Sequence, residues 1–250
     1  MSEHIKTGRD GDVLTILIDR PDKKNALTGD MYAAMIVALD EADSDPRTGA
    51  VLISGAGDLF TAGNDIGDFI AGVQSGATDL PALRFIRRLA ILDTPIVAAI
   101  EGVAVGVGTT LTFHCDLVYA AENAFFRMPF VDLGLVPEAA SSLFVPQRFG
   151  LQKATELLML GDGFDASEAH RLGLVNKVLL AGETLQVATE QAKRLAAKPR
   201  NALAATRRLL RGDRDAILER IDAEALLFGK ALRSDEARAA FASFMSRAKK

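Results

Sequence analysis

Two glycine-bearing turns carry the first chemical suggestion in this sequence: Phe60-Thr61-Ala62-Gly63-Asn64-Asp65-Ile66 and Gly102-Val103-Ala104-Val105-Gly106-Val107-Gly108. Each follows an apolar run that reads as a strand, and two such turns brought together aim two backbone N–H groups at one developing oxyanion. Taken singly, glycine turns are more often solutions to backbone packing. Leu111 stands where a dinucleotide fingerprint needs its third small residue, and no P-loop is present. His4, His114, His170 and Cys115 lack metal-ligand spacing. Ser141 and Ser142, with His114 as base, suggest a hydrolase, but no nucleophile elbow surrounds them. His114 reads more simply as a satisfied core histidine. Pro137-Glu138, on its own, is a common helix start, since proline suits the first position and an acid suits the positive end of the dipole.

The elements that must position these groups alternate. Val13 to Ile18 is a β-branched strand, followed by the basic turn Arg20-Pro21-Asp22-Lys23-Lys24-Asn25. Thr28 is placed to cap a helix running to about Ala42, with Met31, Met35, Ile36 and Leu39 at helical spacing. Ala50 to Ile53 is a buried strand and Ser54 to Asp58 its turn. A helix holding Leu80, Leu83, Ile86 and Leu89 precedes Pro95. Ile96 to Ile100 and Leu117 to Ala120 supply further strands, with Gly102 to Gly108 as a flexible turn into a helix between them. The alternation predicts an α/β core with parallel pairing through right-handed crossovers. From Thr184 onward helices dominate, with an apolar set of Leu226, Leu227, Phe228, Leu232, Phe241, Phe244 and Met245 that must pack on the chain's own core or on a neighbour.

The 250 residues carry a formal net charge of −4, with Lys and Arg scattered among acids, which argues against a nucleic-acid surface. The amino terminus lacks a signal-peptide core and the carboxyl terminus matches no peroxisomal address, so a cytoplasmic location is expected. No membrane association is expected either, because the most apolar stretch, Pro95 to Phe113, is interrupted by Glu101 and rich in Gly and Thr. One cysteine permits no internal disulfide.

Lys24-Asn25-Ala26-Leu27, the two turns, Cys115-Asp116-Leu117-Val118-Tyr119-Ala120 and the stretch from Phe126 through Pro129 and Gly134 to Pro137 occur in a defined order. Along essentially its whole length the sequence thereby resembles the crotonase, or enoyl-CoA hydratase/isomerase, superfamily. The resemblance implies a spiral of repeated strand-strand-helix units over residues 1–195, and a carboxyl-terminal helical region, 196–250, for oligomerisation as a homotrimer or a dimer of trimers. It implies a coenzyme A thioester as substrate with no separate cofactor and no metal. The N–H groups of Ala62 and Val107 would form the oxyanion hole. Lys23, Lys24, Ala26, Leu27, Asn64, Asp65 and Ile66 would line the CoA site; by default the two lysines are solvated charges and Asp65 caps the following helix.

Hydratases of this family use two glutamates, at positions that carry Thr110 and Phe130 here. Neither moves a proton at neutral pH, which argues against efficient hydration. Leu135-Val136-Pro137-Glu138 resembles instead the Pro-Glu segment of 3,2-enoyl-CoA isomerases, implying Glu138 as the single base. Phe130 and Leu135 could desolvate Glu138 and raise its pKa. Alternatives stay open: a hydro-lyase using Asp132 as a second acid, dienoyl isomerisation, dehalogenation through a carboxylate nucleophile, or a non-catalytic acyl-CoA-binding homologue.

Overall fold

The computed structural model describes residues 2–68 and 80–247. In chain order its strands are β1 (Ile5–Asp10), β2 (Val13–Ile18), β3 (Ala50–Gly55), β4 (Ile96–Ile100), β5 (Val103–Val105), β6 (Leu117–Ala121), β7 (Phe125–Arg127), β8 (Gly163–Asp165) and β9 (Lys177–Leu179). The principal helices are α1 (Gly29–Ser44), α2 (Pro81–Ile91), α3 (Val107–Thr110), α4 (Ser141–Phe149), α5 (Leu151–Thr155), α6 (Ala166–Arg171), α7 (Thr184–Ala196), α8 (Arg200–Arg211), α9 (Arg214–Leu232) and α10 (Asp235–Arg247).

A six-stranded sheet runs in the order β1-β2-β3-β4-β6-β9, and a three-stranded one in the order β5-β7-β8. From β2 to β9 the large sheet is parallel, as the alternation predicted; β1 closes its edge antiparallel to β2. Twice the chain passes from a strand of the large sheet to one of the small sheet and then into a helix: β4-β5-α3 and β6-β7 followed by α4. That is the expected strand-strand-helix repeat.

The large sheet is buried on both faces, so its central strands are continuous apolar runs. On one face Leu14, Ile16, Val51, Ile53, Ile96 and Ala98 join the main core with Met31, Met35 and Leu39 of α1. On the other, Leu52, Val97 and Ala99 pack against Ala188 and Ala192 of α7. Thr28 caps α1, its hydroxyl accepting from the Met31 N–H.

Five strands lie outside the sequence expectation. β1 is missed because its residues beyond Ile5 are exposed or half-exposed and polar, leaving no apolar period to detect. β5, β7, β8 and β9 have only three residues each, too short for a pattern. Consequently the stretch from Gly102 to Gly108 is not a flexible turn: β5 occupies its centre and pairs with β7. The carboxyl-terminal helices pack on the chain's own core, α9 against α2 and α4, and α10 against the short 3-10 turn Val131–Leu133. The side chains of Phe244 and Met245 lie outside the described residues.

One ion-pair cluster fastens α8 to the core. Arg207 donates to both Asp116 oxygens at 2.9 Å, and Arg211 Nη2 lies 2.9 Å from Asp116 Oδ1. Asp116 also accepts the Ile96 N–H at the start of β4. Removing one partner of a buried pair strands the other charge, which costs about 3 kcal/mol or more. Asp116→Ala is therefore expected to lower stability by about 3 kcal/mol, read as a lower urea midpoint with unchanged slope.

Candidate active site

The two glycine turns meet. Thr61 N–H donates to Val103 O and Val105 N–H to Thr61 O, both at 3.0 Å, which forms a parallel bridge between Thr61 and Ala104. The approach needs glycine: with φ of +91°, a Cβ on Gly63 would stand 2.7 Å from Val105 O. Beneath them, buried Asn25 organises the first loop. Its amide Nδ2 lies within hydrogen-bonding distance of Ala56 O, Leu59 O and Phe60 O, while Oδ1 accepts the Arg20 N–H. Lys24 and Asn25 hold left-handed φ of +52° and +53° to make this turn.

Glu138 and Asn64 of the first turn line one cavity of 290 Å³, together with Leu83, Ile86, Ile221, Phe228 and Leu232 among others. Thr110 Oγ1, one turn after Val107, donates to Glu138 Oε1 at 2.6 Å. Burial disfavours the carboxylate and raises its pKa to about 7; the Thr110 hydrogen bond pulls it down and the negative Glu224 pushes it up. A carboxylate balanced near neutrality is well suited to taking and returning a proton.

Glu138 is not in the first turn of a helix. Two left-handed alanines, Ala139 (φ +60°) and Ala140 (φ +57°), separate it from α4, whose first residue is Ser141. Left-handed alanine costs roughly 1–2 kcal/mol per residue. The simple helix-start reading of Pro137-Glu138 is thus set aside by the backbone, which turns the side chain toward Thr110.

Other expected residues divide. The Ala62 N–H is already given to Lys24 O at 3.0 Å. Among the described residues the N–H groups of Asn64 and Val107 have no such acceptor, and Asn64 lines the cavity. Ala26 accepts from Arg20 Nη1 through its carbonyl, and Leu27 is a core residue tied by its N–H to Gly63 O. Asp65 takes its bland role: it pairs with Arg20 at 2.8 Å and accepts the Asp68 N–H. Ile66 packs half-buried on the core, and Lys23 and Lys24 are exposed.

Asp132 is half-exposed, pairs with Arg127 at 2.8 Å and does not line the cavity, so it is no second acid there. The Ser–His idea also fails. Ser141 Oγ donates to Glu138 O, Ser142 Oγ to Glu224, and His114 Nε2 to Ala139 O. His114 is a satisfied core histidine, its pKa pushed down to about 3 by burial. Cys115, raised to about 12 by burial, is not a nucleophile.

Sequence reasoning passed over Thr110 as a proton carrier and so missed it as a donor to one. It also missed Glu224, only 5% exposed on α9. A signal for it exists: Ile217, Ile221, Glu224 and Phe228 recur at helical spacing, and a charge on an apolar stripe needs a partner.

Comparison with known proteins places this geometry. The enoyl-CoA hydratase/isomerase family profile matches residues 8–250. The chain belongs to that family. It is an acyl-CoA enzyme of the enoyl-CoA hydratase/isomerase type with the crotonase fold. Human enoyl-CoA delta isomerase 2 is 34% identical over 254 residues, 98% of this chain but 64% of that protein's length. A probable enoyl-CoA hydratase of Mycobacterium leprae, echA8, is 36% identical over 187 residues, 75% of this chain and 73% of the relative. The Pseudomonas aeruginosa protein OdaA superposes with a TM-score of 0.92 at 42% identity, covering 98% of this chain and 99% of that one. The family is thus shared by relatives named for isomerisation and for hydration.

Two outcomes follow from the burial of Glu138. Thr110→Val removes the hydroxyl that favours the carboxylate, so the Glu138 titration, followed by carboxyl 13C NMR, is expected to move above 7. For stability, a carboxyl raised from 4.5 to about 7 binds more protons folded than unfolded, so stability falls as pH rises through that window. Glu138→Gln is expected to exceed the wild type by on the order of 3 kcal/mol at pH 8. The gain should vanish near pH 4 when both are unfolded in urea.

Proposed function

We propose that the protein isomerises 3-enoyl-CoA to 2-enoyl-CoA, with Glu138 as the single base. One observation carries the reading: Glu138 is the cavity carboxylate whose oxygens are not consumed by structural donors. It takes one hydrogen bond, from Thr110, whereas Glu224 takes three, from Ala140 N–H, Ser142 N–H and Ser142 Oγ. One carboxylate suffices for a 1,3-proton shift. It removes a proton from carbon 2, the electron pair moves to the thioester oxygen to give a dienolate, and the same carboxyl returns the proton to carbon 4.

The oxyanion of that dienolate requires two donors. Val107 N–H supplies one in this reading, and Asn64 N–H supplies the other in place of Ala62, whose hydrogen is spent on Lys24 O. Each donor of such a hole lowers the barrier by about 3–4 kcal/mol. The apolar lining from α2 and α9 suits an aliphatic acyl tail. Lys23 and Lys24, exposed on the loop whose carbonyl holds Ala62, suit the CoA phosphates. The CoA is the substrate's own, with no further cofactor. For assembly we keep a homotrimer or dimer of trimers, supported by the exposed Met159, Leu160, Leu209 and Leu210.

Hydration needs a second proton carrier beside Glu138. Thr110 is engaged as a donor, Phe130 is core, and Asp132 lies off the cavity. The deciding measurement is turnover of a 3-enoyl-CoA by the wild type and Glu138→Gln, with hydration of a 2-enoyl-CoA run beside it. The expected result is a fall in isomerisation of about 10³-fold with little change in thioester binding. Rapid wild-type hydration that survives Glu138→Gln overturns the reading.

A further inference from the structure

We propose that Glu224 and His114 are positioning residues that clamp one peptide group, Ala139–Ala140, and so aim the Glu138 carboxylate at the substrate. The two contacts fall on opposite ends of the same amide. His114 Nε2 donates to Ala139 O at 2.9 Å, and Ala140 N–H donates to Glu224 Oε2 at 2.6 Å. The flanking groups are held as well. Ser142 N–H and Oγ donate to Glu224 Oε1, while Ser141 N–H and Oγ both donate to Glu138 O.

The clamp answers a need of the backbone. Ala139 and Ala140 are consecutive left-handed alanines with no glycine to relieve them, and they keep that conformation only where the surroundings impose it. Relaxation of either residue into the right-handed or extended region would swing Glu138 away from Thr110. Burial pushes the His114 pKa down to about 3, and because a carbonyl can only accept, Ala139 O holds the imidazole in the tautomer with its proton on Nε2. Glu224 adds a second effect, since its negative charge disfavours the anion of Glu138 and strengthens it as a base. It comes from α9, whose Ile221 and Phe228 line the same cavity, so the helix that walls the acyl site also holds the base.

The inference rests on Glu138 as the base, and its test separates the two. The charged and titratable groups around Glu138 are Glu224 and its neighbour Arg220 on α9, Arg233 in the cavity lining, and Tyr32 of α1, itself influenced by Asp68. Glu224→Gln keeps an acceptor for Ala140 and removes the charge; Glu224→Ala removes both. His114→Gln keeps a donor for Ala139; His114→Ala removes it. The alanine variants are expected to lose about 10²-fold in kcat with a much smaller change in KM. His114→Gln should restore most of that loss, and Glu224→Gln should shift the rising limb of the kcat profile to lower pH.

The titration of the Glu138 carboxyl by 13C NMR in substrate-free enzyme gives the same reading without any assumed reaction. A displaced midpoint in His114→Ala, which frees the Ala139 carbonyl and leaves the Glu224 charge in place, supports the inference even where the wild type proves to be a hydratase. An unchanged midpoint in that folded variant, or alanine variants whose kcat matches the wild type, overturns it. Glu138→Gln serves as the control: if it retains full turnover, the base assignment falls rather than the clamp alone.

Discussion

A carboxyl group buried against a largely apolar cavity wall is the constraint around which this molecule is arranged. Water would stabilise the Glu138 anion better than the cavity does, and that loss of solvation lifts its affinity for a proton to about neutrality. The surroundings cannot solvate it fully without cancelling the effect. They supply one hydroxyl, from Thr110, which orients the group and leaves its basicity largely intact. The same choice makes the site a thermodynamic burden, since ionising Glu138 works against the folded state.

Placing that group falls to the backbone. Strands of the large sheet deliver the chain to one edge of the small sheet, where the bridge between Thr61 and Ala104 locks two turns together. Gly63 permits an approach that any side chain would block. On the opposite wall the left-handed pair Ala139–Ala140 reverses the chain so that Glu138 points back toward α3. The strain is offset by hydrogen bonds from distant parts of the chain, His114 before β6 and Glu224 on α9. Such over-determination lets a strained turn persist at a functional site.

The carboxyl-terminal helices therefore belong to the candidate site as well as to the packing. Residues beyond 196 read as a region for assembly, yet α9 contributes Ile221, Phe228 and Leu232 to the cavity and Glu224 to the turn that follows Glu138. Arg207 and Arg211 of the preceding helix, both on Asp116, fix its point of departure beside β4.

The sequence by itself determined the α/β alternation, the capped helix at Thr28, the two glycine turns and the candidate base. These are local: apolar period, turn chemistry and motif order are written in neighbouring residues. Edge strand β1 and the three-residue strands carried no such period, so their pairing is visible only in three dimensions. The tertiary structure alone decided that the Ala62 N–H is already spent, that Asp132 faces Arg127 rather than the cavity, and that His114 and Glu224 share one peptide. Each depends on partners from 5 to 84 residues away in sequence. Hydrogen bonds and desolvation act through space, and no local pattern records which distant group will occupy a donor or strip a carboxylate of water.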